Sequence, residues 1–307
     1  MKITLRQLEV FAAIALTENV SRAAKTLAMS QSAASSALVE LERQFDCPLF
    51  DRVGKSLRLN STGRGLLPQA EDMLARAADI EGYLAGGILG PLAVGATLTI
   101  GNYLATLVAA EYLRRHPASK IGLHVANTER IVEQIIGYEL DIGLIEGEAS
   151  HPDLLLEPWL DDALVVFCAP HHALADAGPA DDARLAAQQW IVRERGSGTR
   201  ALFDHVIARA LPSLHIQLEL EHTEAIKRAV ESGLGIGCLS RLSLREAFRR
   251  GSLLEIETPQ FDLSRHFYFA RHRQRQISPA AQTFLALCRE ATGSARGTDT
   301  LRLPFIS

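Results

Sequence analysis

The stretch SRAAKTLAMSQSAASSALVELER, from Ser21 to Arg43, limits what the start of this chain can become. It reads as two short helices joined by a tight turn. Ser21 is a candidate N-cap for a helix running to about Leu27, with Ala23, Ala24 and Leu27 turned inward. Met29-Ser30 makes the turn, and Ser30 or Gln31 opens the second helix. At 100° per residue, Ala34, Ala37, Leu38 and Leu41 share one side of that helix. Ser32, Ser35, Ser36, Val39 and Arg43 share the other. A merely solvated face would carry the better helix formers Glu and Lys. Small hydroxyl side chains instead let a helix approach a DNA groove closely while still making hydrogen bonds to bases and phosphates. A helix packed on another helix through small residues is the competing reading.

The neighbouring residues fit a small DNA-binding head. Leu5, Leu8, Phe11, Ala12 and Ala15 space out as one helical face able to back the two helices. Phe45, Leu49 and Phe50 are expected to close its core. DRVGKSLRL reads as a hairpin with Gly54-Lys55 at the tip and Arg52, Lys55 and Arg58 around it, a basic wing able to straddle a DNA backbone. Through Arg58 basic residues slightly outnumber acidic ones, while the whole chain carries a net charge of −4. Phosphate contact needs only the local excess.

LRQLEVFAAIA followed by SRAAKTLAMSQSAASSALVELERQFDCPLFDRVGKSLRLNSTGRGLL resembles the N-terminal domain of the LysR-type transcriptional regulators, over about the first 65 residues. The resemblance implies a winged helix-turn-helix, homodimeric or homotetrameric assembly, and an effector domain like periplasmic binding proteins. Double-stranded DNA, a small effector and RNA polymerase are the implied partners, in the cytoplasm. The implied DNA-contacting set is Ser21, Arg22, Gln31, Ser32, Ser35, Ser36, Arg43, Arg52 and Lys55. Ser32 stands where the family often has proline, and Asn60-Ser61-Thr62-Gly63 replaces the more usual Thr-x-Ala-Gly.

From Asn60 to about Leu84 one long helix is expected. Leu66, Ala70, Met73, Ala77, Ile80 and Leu84 alternate steps of four and three, the spacing of a seam that pairs two chains. Pro68 is expected to kink it. Gly82, Gly86, Gly87, Gly90 and Pro91 should end the helix and form a hinge.

The rest of the chain alternates strand and helix signals, as in α/β sheets with crossover helices. The whole is therefore read as an α+β multidomain chain: a winged helix-turn-helix over 1–59, a linker helix and hinge over 60–90, and an effector domain of two Rossmann-like subdomains over 91–307. The family resemblance implies that subdomain I comprises 91–161 and 266–290, and subdomain II 162–265. ATLTIGNYL, NTERIVEQI, RERGSGTR and HTEAIKRAVESGLGIGCLSR resemble a subgroup containing regulators of carbon fixation and sulfur metabolism. Ala105-Thr106 departs from that subgroup's Leu-Pro.

Strand-to-helix junctions in this region bear hydroxyl and amide groups: Thr97, Thr99, Asn127, Thr128, Ser197, Thr199 and Thr223. Helix N-termini expose unpaired N–H groups and favour anions. With Glu146 and Arg200, whose fork could add donors, these form the candidate effector site for a small anionic metabolite. Helix capping is the plainer role for each hydroxyl alone.

Other classes fit less well. GxSxG, HExxH and a strand-following GxGxxG are absent from the sequence, so no enzyme is expected. His171-His172 falls in a surface turn, and the adjacent pairs Asp161-Asp162 and Asp181-Asp182 read as solvated loops. The four cysteines, Cys47, Cys168, Cys238 and Cys288, are too scattered for a disulfide or zinc framework. No cofactor or metal is expected. A free-standing solute-binding protein would need export, and MKITLRQLEVF is no signal peptide. The uncharged run from Gly82 to Ala110 is broken by glycines and Pro91, which argues against a membrane span.

Overall fold

A computed structural model of the chain describes residues 2–53, 56–84, 89–175, 177–293 and 295–301. They divide into two compact units, Met1–Gly90 and Pro91–Ser307.

The first unit begins with α1 (Leu5–Thr17), α2 (Val20–Thr26) and α3 (Gln31–Phe45). Thr4 and Gln7 form a reciprocal capping box at the start of α1. Helix α2 starts earlier than expected because Asn19, not Ser21, accepts the Arg22 N–H at 3.0 Å. Ser30 caps α3 through the Ala33 N–H. The core unites Leu8, Phe11 and Ile14 with Ala34, Leu38 and Leu41. The inward face of α1 is thus rotated from the expected one: Val10 and Ile14 are buried, Ala12 and Ala15 only partly so, and Leu5 is exposed. Leu49 and Phe50 close the core, with Phe50 edge-on to Phe11 at 5.7 Å, but Phe45 is half exposed.

Strands β1 (Phe50–Val53) and β2 (Ser56–Leu59) pair antiparallel as the wing. Its tip, Gly54-Lys55, and the Arg52 side chain lie outside the described residues. Asn60 caps α4 (Ser61–Leu84) by accepting the Gly63 N–H at 2.9 Å. The helix continues through Pro68 in its second turn, and Gly82 is helical. Gly86 and Gly87 of the expected hinge and the Leu84 side chain lie outside the described residues. The expected seam divides: Ala70 is buried in the head's own core with Leu66 packed against it, whereas Met73 and Ile80 are exposed.

The second unit is built on a mixed sheet with strand order β4-β3-β5-β11-β6-β9-β7-β8. Strand β3 (Leu92–Thr97) passes straight into α5 (Leu98–Ile100), a π-helical turn (Gly101–Ala105) and α6 (Thr106–Arg115). With Thr106 where a proline would block it, the Thr106 N–H reaches the Gly101 carbonyl and closes the π turn. Then follow β4 (Ile121–Ala126), α7 (Thr128–Ile136) and β5 (Ile142–Glu146). Strands β3, β4 and β5 run parallel.

Strand β6 (Leu154–Cys168) is long and carries the chain into the second half of the sheet. There lie α8 (Asp182–Ala186), β7 (Gln189–Arg193), α9 (Gly198–Phe203), β8 (His215–Leu220), α10 (Thr223–Glu231), β9 (Ile236–Ser240), α11 (Arg241–Arg250) and β10 (Leu254–Ile256). Strand β9 follows the turn at Gly233–Gly235 and is wholly buried. Strand β11 (Ser264–His272) returns beside β6 and β5, and α12 (Pro279–Thr292) follows, capped by Ser278. Asp161 and Asp162, read as a solvated loop, lie inside β6, and Asp162 is buried. Asp181 caps α8 by accepting the Arg184 N–H at 2.8 Å. Among the described residues, no helix is long and apolar enough to cross a membrane.

Candidate functional site

In the first unit, the polar side of α3 is open. Gln31, Ser32, Ser35 and Ser36 are exposed opposite buried Ala34, Leu38 and Leu41, as are Ser21 and Arg22 on α2. Ser32 shares a hydrogen bond with Ser30 at 3.0 Å. Arg43 is exposed too, but its guanidinium is engaged by Glu40 at 2.7 Å, so only part of its donor set is free for phosphate.

In the second unit, the two halves of the sheet meet around a buried ionic chain. Gly198, just after Ser197 at the start of α9, approaches the Glu146 carbonyl so closely that a Cβ would sit 2.0 Å from its oxygen; only glycine fits. Glu146 ends β5, and its carboxylate is buried. It accepts the Thr99 N–H at 2.7 Å and the Thr199 hydroxyl at 3.1 Å. Arg265 on β11 reaches it at 3.0 Å and donates through Nε to Asp162 at 2.8 Å. Burial opposes the charge on Glu146, but the Arg265 and Arg193 guanidiniums beside it and its bonds to Thr99 outweigh burial, so its pKa is lowered and it stays ionised. Among the described residues, Arg265 Nη2 is buried without a partner.

Further bonds cross between the halves. The Gly198 N–H donates to Thr128 Oγ1 at 3.1 Å, and the Glu129 N–H to the Gly196 carbonyl at 3.1 Å. On the outer side, the Tyr103 hydroxyl donates to Glu224 at 2.7 Å, and Lys227 Nζ lies 3.2 Å from the same hydroxyl. Burial, with Glu224 beside it, pushes the Tyr103 phenol upward, so it remains a donor.

A cavity of about 510 Å³ opens beside this chain. Leu98, Asn102, Asn127 and Arg130 line it from the first half; Glu194, Glu221 and His222 line it from the second. The sequence-predicted residues divide accordingly. Only Asn127 reaches the cavity wall, while its Oδ1 also accepts the Arg130 N–H. Thr97, Thr99, Thr128, Glu146, Ser197 and Thr199 form a buried polar layer. Arg200 was expected to offer its fork to a ligand. Its donors go to Asp204, Glu219 and the Arg193 carbonyl, all within 2.9 Å, so it braces α9 against β8 and β7. Thr223 is 1% exposed, and its hydroxyl has no partner among the described residues. The sequence pattern does not mark Arg130 or His222, although each lies within a turn of a candidate helix start, at Thr128 and Thr223. Among the described residues, no cluster of His, Cys, Asp or Glu could hold a metal ion.

Residues 85–293 match the family model described as LysR substrate binding domain, and residues 5–64 match that of the bacterial regulatory helix-turn-helix protein, lysR family. The chain is 43% identical to the uncharacterized HTH-type transcriptional regulator YeiE of Escherichia coli, over 94% of this chain and 98% of that one. The Synechocystis CcmR regulatory domain, solved in complex with 2-PG, is 29% identical with a TM-score of 0.62, covering 66% of this chain and 98% of that one. Full-length OxyR from Pseudomonas aeruginosa shares the fold: TM-score 0.71 at 23% identity, over 94% of this chain and 95% of that one.

Proposed function

The chain belongs to the LysR family of bacterial transcriptional regulators, and on that premise we propose that it works in the cytoplasm as a homodimer or homotetramer, binding an interrupted palindrome near its target promoter under control of a small anionic metabolite. The observation that carries the DNA reading is the exposed Gln31, Ser32, Ser35 and Ser36 face of α3 opposite a fully packed core face. RNA polymerase is the natural further partner of a promoter-bound regulator. Exposed Met73 and Ile80 on α4 supply the apolar surface for pairing two heads, so the proposed seam is centred there rather than on Leu66 and Ala70.

The effector reading rests on the cavity between the two halves of the sheet. Two nine-residue helices, α7 and α10, begin at its wall with Asn127 and His222, and Arg130, which also meets Glu133 at 3.2 Å, stands beside them. The Glu129 and Arg130 N–H groups of α7 are taken by Gly196 and Asn127, so it is the positive dipole ends of the two helices that favour a negative group. Glu194 is already paired with Arg193 at 2.7 Å, which leaves Glu221 as the opposing wall charge. The buried Thr99, Thr199 and Glu146 layer links the two halves, so occupancy would favour one of their arrangements over another. The likeness to the CcmR domain, solved with 2-PG, supports a small-molecule effector. Two experiments test the reading. A gel shift with DNA flanking the chain's own gene should give a specific complex. A thermal-shift screen of small organic acids should give a hit that alters it. Absence of any sequence-specific complex would reject the proposal, and a neutral apolar ligand would reject its anionic part.

A further inference from the structure

The segment 295–301, which follows α12, meets β6 at Asp161, where the chain passes from one half of the sheet to the other. Between 154 and 163, β6 pairs with β11 on one edge, and its partner on the second edge, β9, begins only at Leu164. At Asp161 the segment itself fills that second edge. The Asp161 N–H donates to the Arg296 carbonyl at 2.9 Å, and the Thr298 N–H donates to the Asp161 carbonyl at 2.8 Å. Farther on, Leu301 is buried and Arg245 of α11 donates to its carbonyl at 2.9 Å. The segment thus leaves a helix packed on α6, crosses the strand that joins the halves, and is fastened to a helix of the second half.

The contact with chemical consequence is Thr298. It is 4% exposed, and its hydroxyl donates to Asp162 Oδ1 at 2.7 Å. Ser240 donates to the same oxygen at 2.8 Å, and Arg265 Nε takes Oδ2 at 2.8 Å. Arg265 Nη1 in turn serves both Thr199 and Glu146, each at 3.0 Å. We infer that the segment is a strap holding the Asp162–Arg265–Glu146 chain in register, with Thr298 as its positioning residue. The two hydroxyls on Oδ1 fix the plane of the Asp162 carboxylate and so aim Oδ2 at Arg265. The guanidinium is planar and rigid, so a shift at Nε is carried to Nη1 and thence to the Thr199 and Glu146 contacts that join the halves.

This deepens the reading of the inter-subdomain site and rests on it for regulatory meaning, but its test needs no effector. Hydrogen exchange of the full chain is read at the Thr99 amide, which donates to Glu146, and at the Gly198 amide, which donates to Thr128. Thr298→Val removes the hydroxyl at nearly constant volume. It should speed exchange in both peptides by about threefold to tenfold, the scale of one ordinary lost hydrogen bond, since Ser240 still holds the same oxygen. Strand β7 should keep its wild-type rate, and Thr298→Ser, which retains the donor, should restore the wild-type pattern. Faster exchange confined to 295–301 would overturn the inference. So would an equal rise across β7, or a serine variant that behaves like valine. A failed effector screen would leave a positive exchange result standing, and the converse holds too.

Discussion

Replacing Arg265 with Met should unmask two buried carboxylates. The Arg265 side chain is 3% exposed, against 2% for Glu146 and 0% for Asp162. Removing one partner of such a group typically costs about 3–5 kcal/mol, because the stranded charge remains desolvated. Here Thr99 and Thr199 still hold Glu146, and Ser240 and Thr298 still hold Asp162, which places the loss near the lower end, about 3 kcal/mol at pH 7. For a unit of this size that is a fall of about 6–12 °C in melting temperature. The pH dependence is the sharper signature. In the wild type, Glu146 titrates below its ordinary value of 4.5, so its contribution is present above 4.5 and lost as pH falls through the lower folded value. In the variant the chief opposing charge is gone and burial pushes the same carboxyl upward, so acid relieves the strain. The gap between the proteins should therefore narrow as pH drops from 7 toward 4.5, read by urea unfolding at each pH. Adding Glu146→Gln and Asp162→Asn should recover most of the loss. A deficit under about 1 kcal/mol at pH 7, or a gap that widens toward acid, would refute the reasoning.

Three further outcomes are expected. Ser35→Ala or Ser36→Ala should weaken operator binding by about 1–3 kcal/mol per lost base contact, and footprints identical to wild type would mean that α3 reads DNA with another face. Ile80→Asp places a charge on the exposed apolar stretch of α4 and should dissociate the assembly while the head still folds; sedimentation showing an intact dimer would move the interface elsewhere. Thr199→Val removes a hydroxyl that donates to Glu146 and accepts from Arg265, and should lower affinity for whichever acid the thermal-shift screen returns by about 1 kcal/mol or more, measured by calorimetry; unchanged affinity would detach this layer from ligand binding.

The head was legible because its information is local. Alanine and leucine at helical spacing, a serine cap at Ser30 and a basic hairpin lie within a few dozen residues. The error at α2 is local too: Asn19 and Ser21 are both good caps, and only the geometry shows that Asn19 takes the Arg22 N–H. The seam was over-read because an apolar residue at heptad spacing does not declare which surface it meets; Ala70 serves its own core. The first half of strand β6 was missed for a different reason. Pro158 and two aspartates interrupt its alternation, and Pro158 is tolerated because a register irregularity lies opposite it, between Phe267 and Tyr268. The ionic chain was least legible. Glu146 was singled out, but its partner Arg265 is far along the chain, and no periodicity connects them. The available hint was a charge next to an apolar run, Asp162 before ALVVF and Arg265 before HFYF.

A buried ion pair is a weak stabiliser compared with apolar side chains of the same volume, so its place at the strands that join the halves needs another reason. Each group comes from a different piece: Glu146 ends β5, Asp162 lies on β6, Arg265 on β11 and Thr199 on α9. Apolar side chains at this junction would tolerate small displacements of one half against the other, because dispersion contacts are non-directional. Hydrogen bonds to charged groups do not tolerate them, since their strength falls steeply with misalignment. The arrangement therefore gives the second unit one sharply defined reference state. A ligand in the adjoining cavity needs to favour a different arrangement by only about 1–3 kcal/mol to produce a usable response. Coupling of that size can be built from one or two of these bonds, so under the function proposed above the Glu146–Arg265–Asp162 chain is where ligand occupancy would be converted into a change of state.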